Sequence, residues 1–151
     1  MDTVSKNRIA LLHPKIRDAV SSVLKESDSA KLNIRITQGY RSIEEQDKLY
    51  AQGRTMGSQV VTNARGGKSW HNYGLAFDFC LINPDSSVSW NQDDERWDRF
   101  VKIALNHDFE WGGHWTHPDY PHFQQRFGLS IDKAYNFYCN KKTDEQGYIR
   151  I

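Results

Sequence analysis

The segment Lys68–Cys80, KSWHNYGLAFDFC, restricts the fold and chemistry of this chain more than any other. It runs from a histidine through a glycine into an apolar stretch, Leu75–Ile82, and sets an acid, Asp78, between Phe77 and Phe79. Leu75–Ile82 reads as a strand buried on at least one face, because apolar and aromatic residues fill it without helical spacing. An ionised carboxylate inside such a strand is costly unless it is paired, hydrogen-bonded or bound to a metal. Arg65 and Lys68 are the nearest cations in sequence and are the simplest structural partners for Asp78.

A second polar cluster offers the third alternative. In EWGGHWTHPDYPHFQ, His114, His117, Asp119 and His122 crowd around two prolines and a glycine pair. Side chains alternate faces along a strand, so a histidine opening PHFQQRF can point toward a neighbouring strand that carries Asp78. His71, Asp78 and His122 then form a two-histidine, one-carboxylate set. Zinc suits such a set, with imidazole nitrogen at about 2.0–2.1 Å, carboxylate oxygen at about 2.0–2.2 Å and the fourth tetrahedral position open. His114 and His117 are competing ligands, but a Gly-Gly turn before one and a proline after the other favour an exposed loop. Water on an open zinc position has its pKa lowered to about 7, and amide hydrolysis further requires a proton carrier. Asp119, three residues before His122 on a proline-constrained turn, can sit beside the metal without ligating it. Arg41, in the turn QGYRS, is the best-placed cation for developing negative charge; an ion pair with Glu44 or Glu45 is its structural alternative. The run Asp93-Asp94-Glu95 is most simply a helix start, with a calcium site as its rival.

The remaining segments predict an α+β domain in which helices flank a small antiparallel sheet, with the zinc site at the sheet. LLHPKIRDAVSSVLKES carries Ile16, Val20, Val23 and Leu24 on one helical face behind Pro14. KLNIRITQGY alternates as a half-buried strand. Ser42 and Glu45 form a capping box for a helix that stops at Gly53, and 54–68 reads as a loop. DDERWDRFVKIALNHD places Trp97, Phe100, Val101, Ala104 and Leu105 at helical spacing. FEWGGHW and PHFQQRF are short strand candidates, and IDKAYNFYCNKK a last helix. The 151 residues are expected to form a single catalytic domain, 1–151, within which about 128–151 is a C-terminal segment of open role.

At this point the chain resembles the D-alanyl-D-alanine peptidase group of zinc metallopeptidases. SWHNYGLAFD matches S-x-H-x-x-G-x-A-x-D, and DYPH is similar to the group's second motif. The group spans vancomycin-resistance dipeptidases and carboxypeptidases, and the L-alanyl-D-glutamate endopeptidases of phage lysins and bacterial wall hydrolases. ITQGYRSIEEQDKLYAQGRT and WGGHW resemble the endopeptidase branch, and the likeness covers roughly 12–123. It implies His71, Asp78 and His122 as ligands of Zn2+ and Asp119 as general base. It also implies Arg41 as oxyanion or carboxylate clamp, with Ser69 and Gln46 lining the substrate site. The other branches carry glutamate where Asp119 stands; His114 departs from an acid common among relatives.

The resulting expectation is a zinc-dependent peptidoglycan endopeptidase that cuts the L-Ala–D-Glu bond of stem peptides, as a phage endolysin does. The alternatives are a D-alanyl-D-alanine carboxypeptidase of the same chemistry and a non-catalytic, zinc-stabilised wall-binding module. Lys and Arg number 20 against 19 acids, a net charge of +1, which argues against nucleic acid as a partner. No run approaches the ~20 apolar residues of a membrane span. The beginning MDTVSKNRIALLHP lacks a signal-peptide core, so a protein cytoplasmic as synthesised, acting on the wall after release, is expected. A monomer is expected. Cys80 and Cys139 are expected to stay unbridged, Cys80 as a small buried hydrophobe.

Overall fold

The computed structural model describes residues 1–151. Five helices, α1 (Thr3–Ala10), α2 (Pro14–Ser29), α3 (Ile43–Ala51), α4 (Glu95–Asn106) and α5 (Ile131–Cys139), surround one sheet. Its strands are β1 (Ile34–Gln38), β2 (Ala76–Ile82), β3 (Val88–Ser89), β4 (Glu110–Trp111) and β5 (His122–Gln124). The order is β1-β2-β5-β4, with β3 also on β2, and all pairings are antiparallel. The α+β expectation is met.

Alternation along β2 resolves the oddity of Asp78. Phe77, Phe79 and Leu81 share one face, on which Phe79 lies with its ring centroid 4.3 Å from both Trp97 and Phe100 of α4. Phe123 of β5 joins them at 5.8 Å from Phe79. Ile16, Val20, Val23 and Leu24 of α2 belong to the same buried cluster. Asp78 points to the other face, with Ala76 and Cys80, so it is flanked in sequence by phenylalanines but not packed among them. The strand is a partition between core and site.

Two elements escape a reading of the sequence. Helix α1 buries only Ser5 and Ile9, too thin a stripe for helical periodicity to register. Its purpose lies at the sheet edge, where Ser5 Oγ accepts from Ile36 N at 3.0 Å and Arg8 donates to Ile36 O at 2.7 Å. The edge backbone of β1 is thereby satisfied and shielded from pairing with another chain. The other element, β3, is a two-residue strand in a stretch with no run of apolar residues. FEWGGHW is a strand only at Glu110–Trp111; from Gly112 the chain turns into a 3₁₀ helix, Gly112–His114.

The final segment packs on the rest. Ser130 caps α5 by accepting from Lys133 N, and Lys68 pairs with Asp132 at 2.6 Å. Gly67 (φ +83°) passes so close beneath Tyr135 that a Cβ there would overlap the ring. Further on, the His13 Nδ1 lone pair takes Lys15 N–H at 3.2 Å, so its Nε2–H donates to Ile149 O at 2.9 Å. Cys80 is buried, Cys139 exposed, and both are free.

Candidate active site

Asp78 and His122 face each other directly across the β2–β5 ladder. His71 reaches the same point from a 3₁₀ turn, Trp70–Tyr73, that ends at Gly74 in the left-handed conformation (φ +66°). Asn72 fixes this turn, accepting from Gly67 N at 3.0 Å and donating to Arg41 O at 3.0 Å. His122 Nδ1 lies 3.0 Å and His71 Nε2 3.3 Å from the same Asp78 oxygen, and the three donor atoms lie within 4.8 Å of one another. At zinc–ligand bonds near 2.0–2.1 Å, the edge of a tetrahedron is about 3.3 Å. The spacing therefore suits one zinc-sized ion.

The outward nitrogens of both rings are engaged. His71 Nδ1–H donates to Gly39 O at 2.7 Å, turning the Nε2 lone pair toward Asp78. His122 uses Nε2 on Gln124 Oε1 at 3.0 Å, turning Nδ1 inward. The donor set is thus two imidazole nitrogens and one carboxylate, the chemistry of an open zinc site rather than a closed structural one. Burial by itself would raise the Asp78 carboxyl; the pull of His71 and the hydrogen bond with His122 outweigh it and hold Asp78 far below the usual carboxylate range. Burial would lower His122, but its bond to Asp78 overrides this and raises it. Arg65 and Lys68, the other partners open to Asp78, are turned elsewhere: Lys68 to Asp132 and Arg65 to the Tyr50 ring.

Asp119 stands 4.0 Å from His122 Nδ1, too far for a bond and close enough to share its surroundings. Desolvation by the cleft walls and the Asp78 charge push its carboxyl upward against the pull of His122 and His71, although half its side chain faces the opening. A carboxylate with raised affinity for a proton, beside a metal site, is suited to carrying one.

The cluster lies at the bottom of a cleft of about 780 Å³, whose walls include Arg41, Ser69, Trp115, His117 and Asp119. Arg41 pairs with neither Glu44 nor Glu45; Glu45 completes the capping box with Ser42, and Arg41 Nη1 donates to Gln46 Oε1 at 3.0 Å. Gln46 itself is fully buried and is not among the cleft-lining residues. It stands behind Arg41, with its amide on Ala64 O at 2.8 Å. Being on the inward face of α3, it is a support for the wall in this geometry and not a surface of it. His114 packs edge-on against Trp111 and stays outside the cluster; His117 lines the cleft without joining the donor set. Trp111 stacks on Phe123, while Trp115 is exposed and lies 5.2 Å from the His122 ring. The acidic run 93–95 starts a helix: Asp94 caps α4 and binds Arg96.

Gly112 is a site residue that its sequence context did not single out. Its carbonyl accepts from Asp119 N at 2.9 Å, and a Cβ on it would overlap the Asp119 carbonyl oxygen and press on the Cβ atoms of Asp119 and His122 at 3.2 Å. A methyl group here must shift Asp119. Gly112→Ala is expected to lower turnover about 10²-fold, the cost of an ångström-scale misplacement of a reacting group, with zinc still bound. Steady-state assay alongside metal analysis checks both halves.

Two imidazoles and a carboxylate at zinc spacing, under an open cleft with a second carboxylate alongside, define a hydrolase of the mononuclear metal type. Comparison with known proteins narrows this class. Residues 62–125 match the family described as D-alanyl-D-alanine carboxypeptidase. The peptidoglycan L-alanyl-D-glutamate endopeptidase CwlK of Bacillus subtilis (strain 168) is 43% identical over 121 residues, spanning 75% of this chain and 72% of that protein. Among solved structures, the L-Ala D-Glu endopeptidase ChiX of Serratia marcescens superposes with a TM-score of 0.63 at 25% identity, covering 84% of this chain and 90% of that one. The vancomycin resistance D,D-pentapeptidase VanY, in complex with Zn(II), shares the fold at a TM-score of 0.57 and 15% identity, over 83% and 78% of the two chains. The chain belongs to the D-alanyl-D-alanine carboxypeptidase family of peptidases, as its S-x-H-x-x-G-x-A-x-D motif implies.

Proposed function

We propose that this protein is a zinc-dependent peptidoglycan endopeptidase that hydrolyses the L-Ala–D-Glu bond of stem peptides, with His71, Asp78 and His122 as the metal ligands. The observation that carries the reading is the convergence of those three donors on one point, with Asp119 4.0 Å from His122. The similarity to CwlK and ChiX supports the choice of bond. When bound, zinc supplies Lewis acidity, polarising the scissile carbonyl and lowering the pKa of water to about 7. Asp119 accepts the proton that water loses as its oxygen adds to the carbonyl carbon. It returns that proton to the departing amide nitrogen as the C–N bond breaks. The Arg41 guanidinium, held by Gln46, faces the cleft, where it balances negative charge on the oxyanion or a substrate carboxylate. Ser69 offers a hydroxyl at the same wall.

Residues 1–151 act as one catalytic domain and as a monomer, which light scattering on the purified protein checks. The segment 128–151 backs the turn at Gly67–Ser69 through Tyr135 and Asp132. No helix is long and apolar enough to cross a membrane. Separately, and on the similarity to wall endopeptidases alone, we propose that the enzyme meets the wall after release and acts bacteriolytically, as an endolysin does.

Digestion of purified sacculi, followed by mass spectrometry of the muropeptides, tests the bond. New N-terminal D-glutamate is expected. Release of terminal D-alanine instead would favour the D-alanyl-D-alanine carboxypeptidase reading, which the family description supports, and would overturn ours. Wall binding without any new terminus would point to a non-catalytic module.

A further inference from the structure

The two histidines of the cluster are oriented by different means. His71 is fixed by a backbone carbonyl, Gly39 O. His122 depends entirely on side chains, and these form a directional chain. His122, Gln124 and Arg126 follow at intervals of two from the start of β5, so His122 and Gln124 share one face of the strand. Glu110 of β4 lies directly opposite Gln124 in the ladder. Arg126 Nε donates to both Glu110 oxygens, at 2.8 and 3.0 Å. Gln124 Nε2 donates to Glu110 Oε2 at 3.2 Å, and Gln124 Oε1 faces His122 Nε2 at 3.0 Å. Gln124 is itself buried.

An amide has one donor end and one acceptor end. Glu110, fixed by Arg126, accepts only, so it claims the NH₂ end of Gln124. The carbonyl end must then face His122. A carbonyl can only accept, which puts a ring hydrogen on Nε2 and leaves Nδ1, beside Asp78, as the nitrogen from which a metal displaces any proton. We propose that Gln124 is a positioning residue, oriented by Glu110, that selects the His122 tautomer able to ligate a metal through Nδ1. The inference rests on the zinc reading above and goes further by assigning the selection of one ligand's protonation isomer to residues 110, 124 and 126.

Two measurements on full-length protein test it: zinc affinity by chelator competition, and the His122 tautomer by long-range ¹H–¹⁵N NMR on metal-free protein. Gln124→Met keeps the bulk and removes the acceptor. It is expected to weaken zinc binding about 10–100-fold, the usual cost of losing an outer partner of a ligating histidine, and in the metal-free protein to move the neutral ring's hydrogen from Nε2 to Nδ1, toward Asp78. The exchange Glu110→Gln with Gln124→Glu keeps an acceptor against His122 and the net charge of the pair, and is expected to restore affinity over Gln124→Met. A simple packing defect would leave the tautomer signature unchanged. Wild-type affinity in Gln124→Met, or an unaltered tautomer, overturns the assignment. Failure of the wild-type protein itself to bind zinc would refute the metal reading instead, and so separates the two claims.

Discussion

Asp119→Ala is expected to remove hydrolysis, lowering kcat by about 10²–10⁴-fold, the range for a lost general acid–base group. Zinc content and wall binding stay as in the native protein, because Asp119 lies 4.0 Å from His122 Nδ1 and belongs to no ligand pair. The side chain is half open to the cleft, so its removal leaves no core cavity, and a folding defect is not the expected cause. Muropeptide release and metal analysis on the same sample make the check. Undiminished hydrolysis would remove Asp119 from the mechanism, and loss of zinc would make it a ligand.

The second large effect is expected from Asp78→Asn, which keeps the shape and removes the charge. Both histidines aim at this one carboxylate, at 3.0 and 3.3 Å, so the variant loses the anionic member of the donor set. Zinc binding and activity are expected to fall together. The effect on stability depends on the metal. For the native protein, zinc at 100 times its Kd should add about 2.7 kcal/mol by mass action, visible as a rise in Tm on titration. The variant should show no such rise at the same zinc concentration. An equal zinc-induced shift in both proteins would exclude Asp78 from the ligand set.

Much of this was legible in the sequence, for identifiable reasons. Strand alternation around Asp78 and the position of His122 at a strand start were enough to bring those residues together, and strong stripes marked α2 and α4. Other features depend on relations that a linear reading does not contain. Gln46 was expected to line the site, but which face of α3 turns inward is settled by packing, and Gln46 went behind Arg41. Gly112 matters because the Asp119 backbone returns to it from seven residues away. Gln124 had a local signal, its i, i+2 relation to His122, but its meaning required Glu110 across the ladder. Helix α1 was missed because it serves the sheet edge through Ser5 and Arg8 more than it buries apolar surface.

Two of the three proposed ligands are neighbours on the paired central strands, whose reverse side bears Phe77, Phe79 and Phe123. Geometry at Asp78 and His122 is therefore as durable as the aromatic interior itself. Local breathing at the cleft rim can admit a bulky polymer without disturbing those two side chains, and their relative placement should be lost only when the molecule unfolds as a whole.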